Sequence, residues 1–201
     1  KQIKCIPQLR AQNQNNIDNT KLSFVQDKDI EFFAKEHIYV YKKFIQLKAV
    51  SDVISMFFRK FDSISWSRKK ALGNGISQRC QLEQWDCKGA ESREVGTYLH
   101  EQIHKHFIRE TPDFAYHFQY NGEEVHVDKI VDISTEYTYF KKFLNEENII
   151  PFRTEWQIFD PVLRIAGTID FLSRNDSEFD LYDWKRSDKI DRNATVWSYG
   201  I

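Results

Sequence analysis

The feature that most constrains this chain is a change of hydrophobic period at Pro151. Before it, Val95, Leu99, Ile103 and Phe107 recur every four residues, which is the apolar stripe of an amphipathic helix. After it, three segments read as strands: Phe152 to Phe159, Arg164 to Leu172, and Phe179 to Arg186. Asp160-Pro161 and the polar run Arg174-Asn175-Asp176-Ser177 separate them as turns. Helices followed by a three-strand meander predict an α+β or mixed α/β domain with a helical N-terminal part.

The rest of the chain is read against that change. Residues 1 to about 28 are polar and rich in Asn and Gln, and read as an arm. Ile30, Phe32 and Phe33 open an apolar stretch, and His37 to Tyr41 reads as a short strand. Ser51 reads as an N-cap, with Val53, Ile54, Phe57 and Phe58 as the apolar face of the helix behind it. Gly73-Asn74-Gly75 breaks the chain. One helix is expected through Leu82 and Trp85, and a longer one from near Glu91 to Thr111-Pro112-Asp113. A further helix is expected from Val127 to Glu146, with Tyr137, Phe140 and Leu144 on one face. The expected organisation is an N-terminal arm and helical subregion over residues 1–90 and a core over 91–201, forming one structural unit.

Composition narrows the function classes. Hydrophobic residues are 41% of the 201, and aromatics 15%, enough for a real core and too many for a disordered chain. With 29 Lys and Arg against 30 Asp and Glu, a histone-like, charge-driven mode of nucleic-acid binding is excluded. An enzyme that holds divalent cations needs no net positive charge to bind a polyanion. No apolar run reaches the length of a membrane span and no signal-peptide pattern opens the chain, so no membrane partner is expected. Cys5, Cys80 and Cys87 make neither a disulfide framework nor a C-x2-C pair, so a reducing, intracellular setting is expected.

Two constellations could carry chemistry. His100-Glu101-Gln102-Ile103-His104 is a literal H-E-x-x-H. On a helix it sets two imidazoles one turn apart beside a carboxylate, as zinc hydrolases require. The third zinc ligand it needs has only Glu110, Glu123 and Glu124 as candidates. The second constellation is Glu155, then Gly167-Thr168-Ile169-Asp170, then Asp183-Trp184-Lys185. Strand side chains alternate faces, so Asp183 and Lys185 would project from one face, roughly 6.5–7 Å apart. If the second and third strands pair through the polar turn, Asp170 and Asp183 converge. Close carboxylates repel, and a hard cation such as Mg²⁺ or Mn²⁺ removes that penalty. Lys185 would then hold the attacking water or stabilise transition-state charge.

Three segments resemble the PD-(D/E)xK nuclease superfamily. They are Pro151-Phe152-Arg153-Thr154-Glu155-Trp156, Ile165-Ala166-Gly167-Thr168-Ile169-Asp170, and Leu181-Tyr182-Asp183-Trp184-Lys185-Arg186-Ser187. The branch is that of the RecB-like exonucleases, which includes phage and viral alkaline-type exonucleases and the mitochondrial genome maintenance exonuclease. The 13-residue step from Asp170 to Asp183 fits it. Gly96-Thr97-Tyr98-Leu99-His100 is similar to its G-x-x-x-H helix motif, and Val50-Ser51-Asp52-Val53-Ile54 resembles its S-V-[ST]-x-[IL] segment.

The resemblance implies a restriction-endonuclease-like core, with a central mixed sheet flanked by helices. It implies a metal site of His100, Asp170, Asp183 and the backbone carbonyl of Trp184, with Lys185 as the catalytic lysine. Glu155 would lie in the outer shell of the site or anchor the first strand. The implied activity is Mg²⁺- or Mn²⁺-dependent hydrolysis of DNA from its ends, in repair, recombination or replication, with a helicase or recombination protein as partner. The sequence departs from the family at His104, where a Glu often stands. It also ends before the family's Gln/Tyr-bearing helix, so it reads as truncated at the C-terminus. The three cysteines do not match the spacing of the iron–sulfur cluster that some relatives carry, and none is expected. The alternatives are a zinc metallopeptidase using His100, Glu101 and His104, and a non-catalytic DNA-binding module of a larger assembly. Two basic zones accompany these motifs: Lys185-Arg186-Ser187-Asp188-Lys189, and Arg59-Lys60 with Arg68-Lys69-Lys70, near Phe61 and Trp66. The first could meet phosphates, and the second could stack on unpaired bases.

Overall fold

One strand, Ile165–Asn175, organises the larger sheet. In the computed structural model the described residues are 28–33, 36–147, 149–175 and 178–187. The polar arm falls outside them up to residue 27, as do Asp188 and Lys189 of the first basic zone. The elements run β1 (Ile30–Phe33), β2 (Ile38–Tyr41), β3 (Ile45–Ala49), α1 (Val50–Ser55), α2 (Ser63–Asn74) and α3 (Gln78–Phe107). There follow β4 (Ala115–Asn121), β5 (His126–Asp132), α4 (Ser134–Glu146), β6 (Pro151–Asp160), β7 (Ile165–Asn175) and β8 (Glu178–Tyr182). The fold is mixed α and β, of the α+β class. No helix among the described residues is long and apolar enough to cross a membrane.

The chain divides into two compact units. The first holds the described residues up to Ala49, Ile103–Pro112 and Leu144–Trp184. The second holds Val50–Gln102, Asp113–Phe143 and the described residues from Lys185 to Ser187.

The first unit is the mixed sheet, ordered β1-β2-β3-β7-β6, with β8 also on β7. The expected meander is present: β6, β7 and β8 pair antiparallel in sequence. The third strand is shorter than expected and stops at Tyr182. β3 was not legible, and it pairs parallel with β7 through Lys48–Ile165 and Ala49–Ala166. The turn into β3 passes through Lys42 and Lys43, both at positive φ (49° and 66°). Asn-Gly is the usual signal for such a turn, so two lysines gave no warning of it. The sheet curls around Ile30, Tyr39, Leu47, Ala49 and Ala166, and Tyr41 meets Phe159 at 5.0 Å. On β7, Phe171 is fully buried and stacks on Phe107 at 4.8 Å.

The second unit is built on α3. This is one helix of 30 residues where two were expected. A single Gly89 costs about 1 kcal/mol relative to Ala and does not end a helix that is packed along its length. Val95, Leu99, Ile103 and Phe107 are all buried, as the four-residue spacing predicts. The segment expected as a helix from Val127 divides: β5 pairs antiparallel with β4, and only Ser134–Glu146 is helical. Glu83 of α3 accepts the amides of Glu123, Glu124 and Val125 at the hairpin tip, at 3.1, 2.8 and 2.9 Å. Tyr116 donates to Glu94 and Tyr120 to Asp86, both at 3.0 Å, tying the hairpin to α3. A Cβ on Gly122 would lie 2.5 Å from Glu83 Oε2 and push the carboxylate off its amides.

The helix expected behind Ser51 lasts only six residues, and its would-be apolar face is exposed at Ile54 and Phe57. α2 ends as expected at the glycine, with Gly75 left-handed (φ 65°) and its N–H on the Ala71 and Leu72 carbonyls. The burial contrast gives a stability prediction. Phe171→Ala should lower the unfolding free energy by about 3–5 kcal/mol. Phe44→Ala, at a side chain 90% exposed, should change it by less than ~0.5 kcal/mol. Urea denaturation measures both.

Candidate functional site

The register between β6 and β7 decides what Asp170 meets. Asp160 pairs with Ile165, Thr154 with Phe171, and Trp156 with Ile169. Glu155 therefore stands across from Asp170. The four-residue turn between the strands sets this register, and Asp160 Oδ1 holds it by accepting the amides of Val162 and Leu163 at 2.8 and 2.9 Å. Glu155 and Asp170 are themselves absent from the ladder, because Glu155 has a left-handed backbone (φ 48°) in the middle of the strand. A non-glycine residue in that conformation costs of order 1–3 kcal/mol and is held only by its surroundings. Thr154, almost wholly buried, supplies part of that hold by donating its hydroxyl to the Asp170 carbonyl at 3.1 Å.

Asp170 is oriented from a second direction. β3 and β8 flank the same edge of β7 but leave Gly167 to Asp170 without a strand neighbour there. The chain leaving β8 fills part of that gap, and the Trp184 amide donates to Asp170 Oδ2 at 2.8 Å. Aromatic packing places it: the Trp184 ring lies 5.5 Å from Phe171 and stacks on Tyr182 at 6.1 Å. Trp184 thus meets Asp170 through its N–H. On the Asp170 face of β7, the Thr168 and Tyr39 hydroxyls are hydrogen-bonded at 2.9 Å. Burial pushes the Tyr39 hydroxyl above its ordinary pKa, the Thr168 bond opposes this, and charge on Glu155 adds to it. Arg153, buried two residues before Glu155, lies over the Trp156 ring at 5.3 Å, and burial lowers its pKa.

Within the first unit the structure brings together Asp170, Glu155 and Trp184. Asp183 follows the end of β8 and its side chain is exposed. Lys185 belongs to the second unit and is also exposed. His100 and His104 are half-buried, one turn apart on α3, while Glu101 between them is exposed. Among the described residues His104 belongs to no group of three side chains able to hold a metal. What the motifs alone do not show is that Glu155 stands opposite Asp170. Its signal was the turn length: four residues between Asp160 and Ile165 place Glu155 opposite Asp170.

No family model, curated protein or solved structure matches the chain.

Two facing carboxylates raise each other's cost of ionisation. Burial first, and then the negative charge of Asp170, push Glu155 from 4.5 up to about 7. A carboxyl raised in the folded state gives stability that is complete below its unfolded pKa and is lost as pH rises through the folded value. The metal-free wild type should therefore lose more stability than Glu155→Gln between pH 5 and pH 8. The difference should be roughly 2–3 kcal/mol, read by denaturant titration in chelator.

Proposed function

We propose that the protein is a metal-dependent DNA nuclease of the RecB-like PD-(D/E)xK type, acting at DNA ends inside the cell in repair, recombination or replication. The observation that carries the reading is the opposed pair Glu155 and Asp170, kept face to face by a strand that bends into a left-handed backbone to do so. Such a pair fits a hard divalent cation, because oxygen donors of high charge density select Mg²⁺ or Mn²⁺ over softer metals. In this reading Glu155 and Asp170, both half-buried, are side-chain ligands, and His100 is a third by resemblance to the family. A cation held there would supply Lewis acidity, lowering the pKa of water and offsetting charge on the scissile phosphate.

The remaining steps belong to the chain's own residues. The Trp184 amide holds Asp170 in one orientation by occupying Oδ2. Asp183 and Lys185, in their D-x-K order, are the second carboxylate and the catalytic lysine by resemblance to the family. Lys185 steadies the attacking water or the developing phosphorane charge. The restriction-endonuclease-like core belongs to the same proposal. The β6–β7–β8 meander supports it, with Asp170 on β7 and Asp183-Trp184-Lys185 directly after β8.

The test is cleavage of end-labelled linear DNA, single- and double-stranded, with Mg²⁺, with Mn²⁺ and with chelator. Wild type should cut only with metal. Asp170→Ala and Glu155→Gln should each lose more than about 100-fold, and Glu101→Ala should cut as wild type does. Folded protein that cuts in no metal overturns the reading. Peptidase activity abolished by Glu101→Ala and untouched by Asp170→Ala would replace it with the zinc-hydrolase alternative.

A further inference from the structure

α2 is packed the wrong way round for a core helix. Its buried residues are small, Ser67 and Ala71, while Ile64, Trp66 (51% exposed) and Leu72 (86%) face solvent. Upstream, Met56, Phe57 (84%) and Phe61 are exposed as well. Single exposed apolar residues need no explanation, but a run of them within one short segment marks a binding surface.

Polar clamps hold the helix in place. Gln78 Nε2 donates both to the Ile64 carbonyl and to the Ser67 hydroxyl, each at 3.0 Å. Asn74 donates to Gln81 at 2.9 Å, and Asp62 caps the first turn through the Ser65 amide at 3.0 Å. The apolar side chains are therefore not needed to attach α2 to its own unit.

The pattern on the exposed arc identifies what they are for. By helical spacing Ile64, Arg68 and Leu72 form one ridge, and Trp66, Lys69 and Lys70 form another. Each ridge mixes apolar and cationic residues. Lys69 Nζ lies over the Trp66 ring at 5.3 Å, and Phe61 is braced against Trp85 at 5.8 Å. Arg59 and Lys60 continue the pattern upstream. Against these five cations the segment from Ser51 to Gly75 carries two carboxylates, Asp52 and Asp62, and Asp62 is engaged as the cap. A lipid surface selects a helix with its apolar and charged faces separated, and here they alternate. A ligand that itself alternates flat apolar groups with regularly spaced negative charge matches this surface. That ligand is a nucleic-acid single strand, whose bases are open to stacking as those of a duplex are not.

We infer that α1, α2 and the connection between them form a platform for single-stranded nucleic acid. Bases rest on Phe57, Trp66 and Leu72, and phosphates lie against Arg68, Lys69 and Lys70. The inference deepens the nuclease reading by naming the form of its substrate, and rests on that reading only for calling the bound strand a substrate.

The test is fluorescence anisotropy of the full chain with fluorescein-labelled oligothymidylate and with a blunt duplex of equal length, in chelator and across a salt series. Wild type should prefer the single strand. The double variant Phe57→Ala/Trp66→Ala should weaken that binding by at least about tenfold. Lys69→Glu/Lys70→Glu should flatten the dependence of log affinity on log salt by roughly 1.4. All four positions are exposed, and thermal melting confirms that the variants fold. Unchanged affinity in both variants overturns the inference, as does a preference for duplex. So does a change of oligomeric state in the variants with strand binding intact. If wild type binds the strand through this surface but cuts in no metal, the nuclease reading falls and the platform stands. If it cuts and the variants bind normally, the platform falls alone.

Discussion

Pairing between β6 and β7 is the constraint on which most of the first unit depends. β7 hydrogen-bonds to β6 along nearly its whole length, and the same strand takes β3 at its start and β8 at its end. A slip of one residue would turn every side chain of a strand to the opposite face. Phe171 would leave the aromatic contacts with Phe107 and Trp184, and Asp170 would enter them. The Asp160 turn therefore does two jobs. It secures burial on one face of β7, and it decides which carboxylate stands opposite Asp170 on the other.

The site carries opposing demands. A buried aromatic residue and a carboxylate are neighbours in sequence on β7, and the strand separates them by its alternation. Trp184 links the two sides, its ring against Phe171 and its amide on Asp170. Packing energy gained on the apolar side thus holds a polar group in one orientation on the other. The cost appears at Glu155, where the backbone takes a conformation that suits glycine better. Strain of this kind concentrates where a side chain's position matters more than its backbone's comfort.

What was legible follows from which physical signals are local. The stripe Val95, Leu99, Ile103 and Phe107 reports a helix face directly, and the period-two segments after Pro151 report strands. The hairpin β4–β5 escapes a reading by period because Val127, Ile130 and Val131 also satisfy helical spacing, and because β5, unlike the alternating β4, shows no clean buried face. The parallel pairing of β3 with β7 joins residues more than a hundred positions apart, and no window of sequence contains it. In the candidate site, Asp170 stood out through its motif. The opposition of Glu155 to Asp170 required the turn to be counted. The strand alternation behind the expected convergence of Asp170 and Asp183 stops at Tyr182, because β8 ends there.

The Glu83 clamp has a consequence for how the second unit assembles. A two-residue hairpin turn normally satisfies its own backbone groups and can close in microseconds as a local event. Here three tip amides find their acceptor on a helix about forty residues earlier in the chain. Until that stretch of α3 has formed, the tip gains little by closing, since its amides are as well served by water. Hairpin closure and helix docking are therefore coupled, and the β4–β5 ribbon behaves as a late, cooperative addition to α3 rather than as an independent seed of folding.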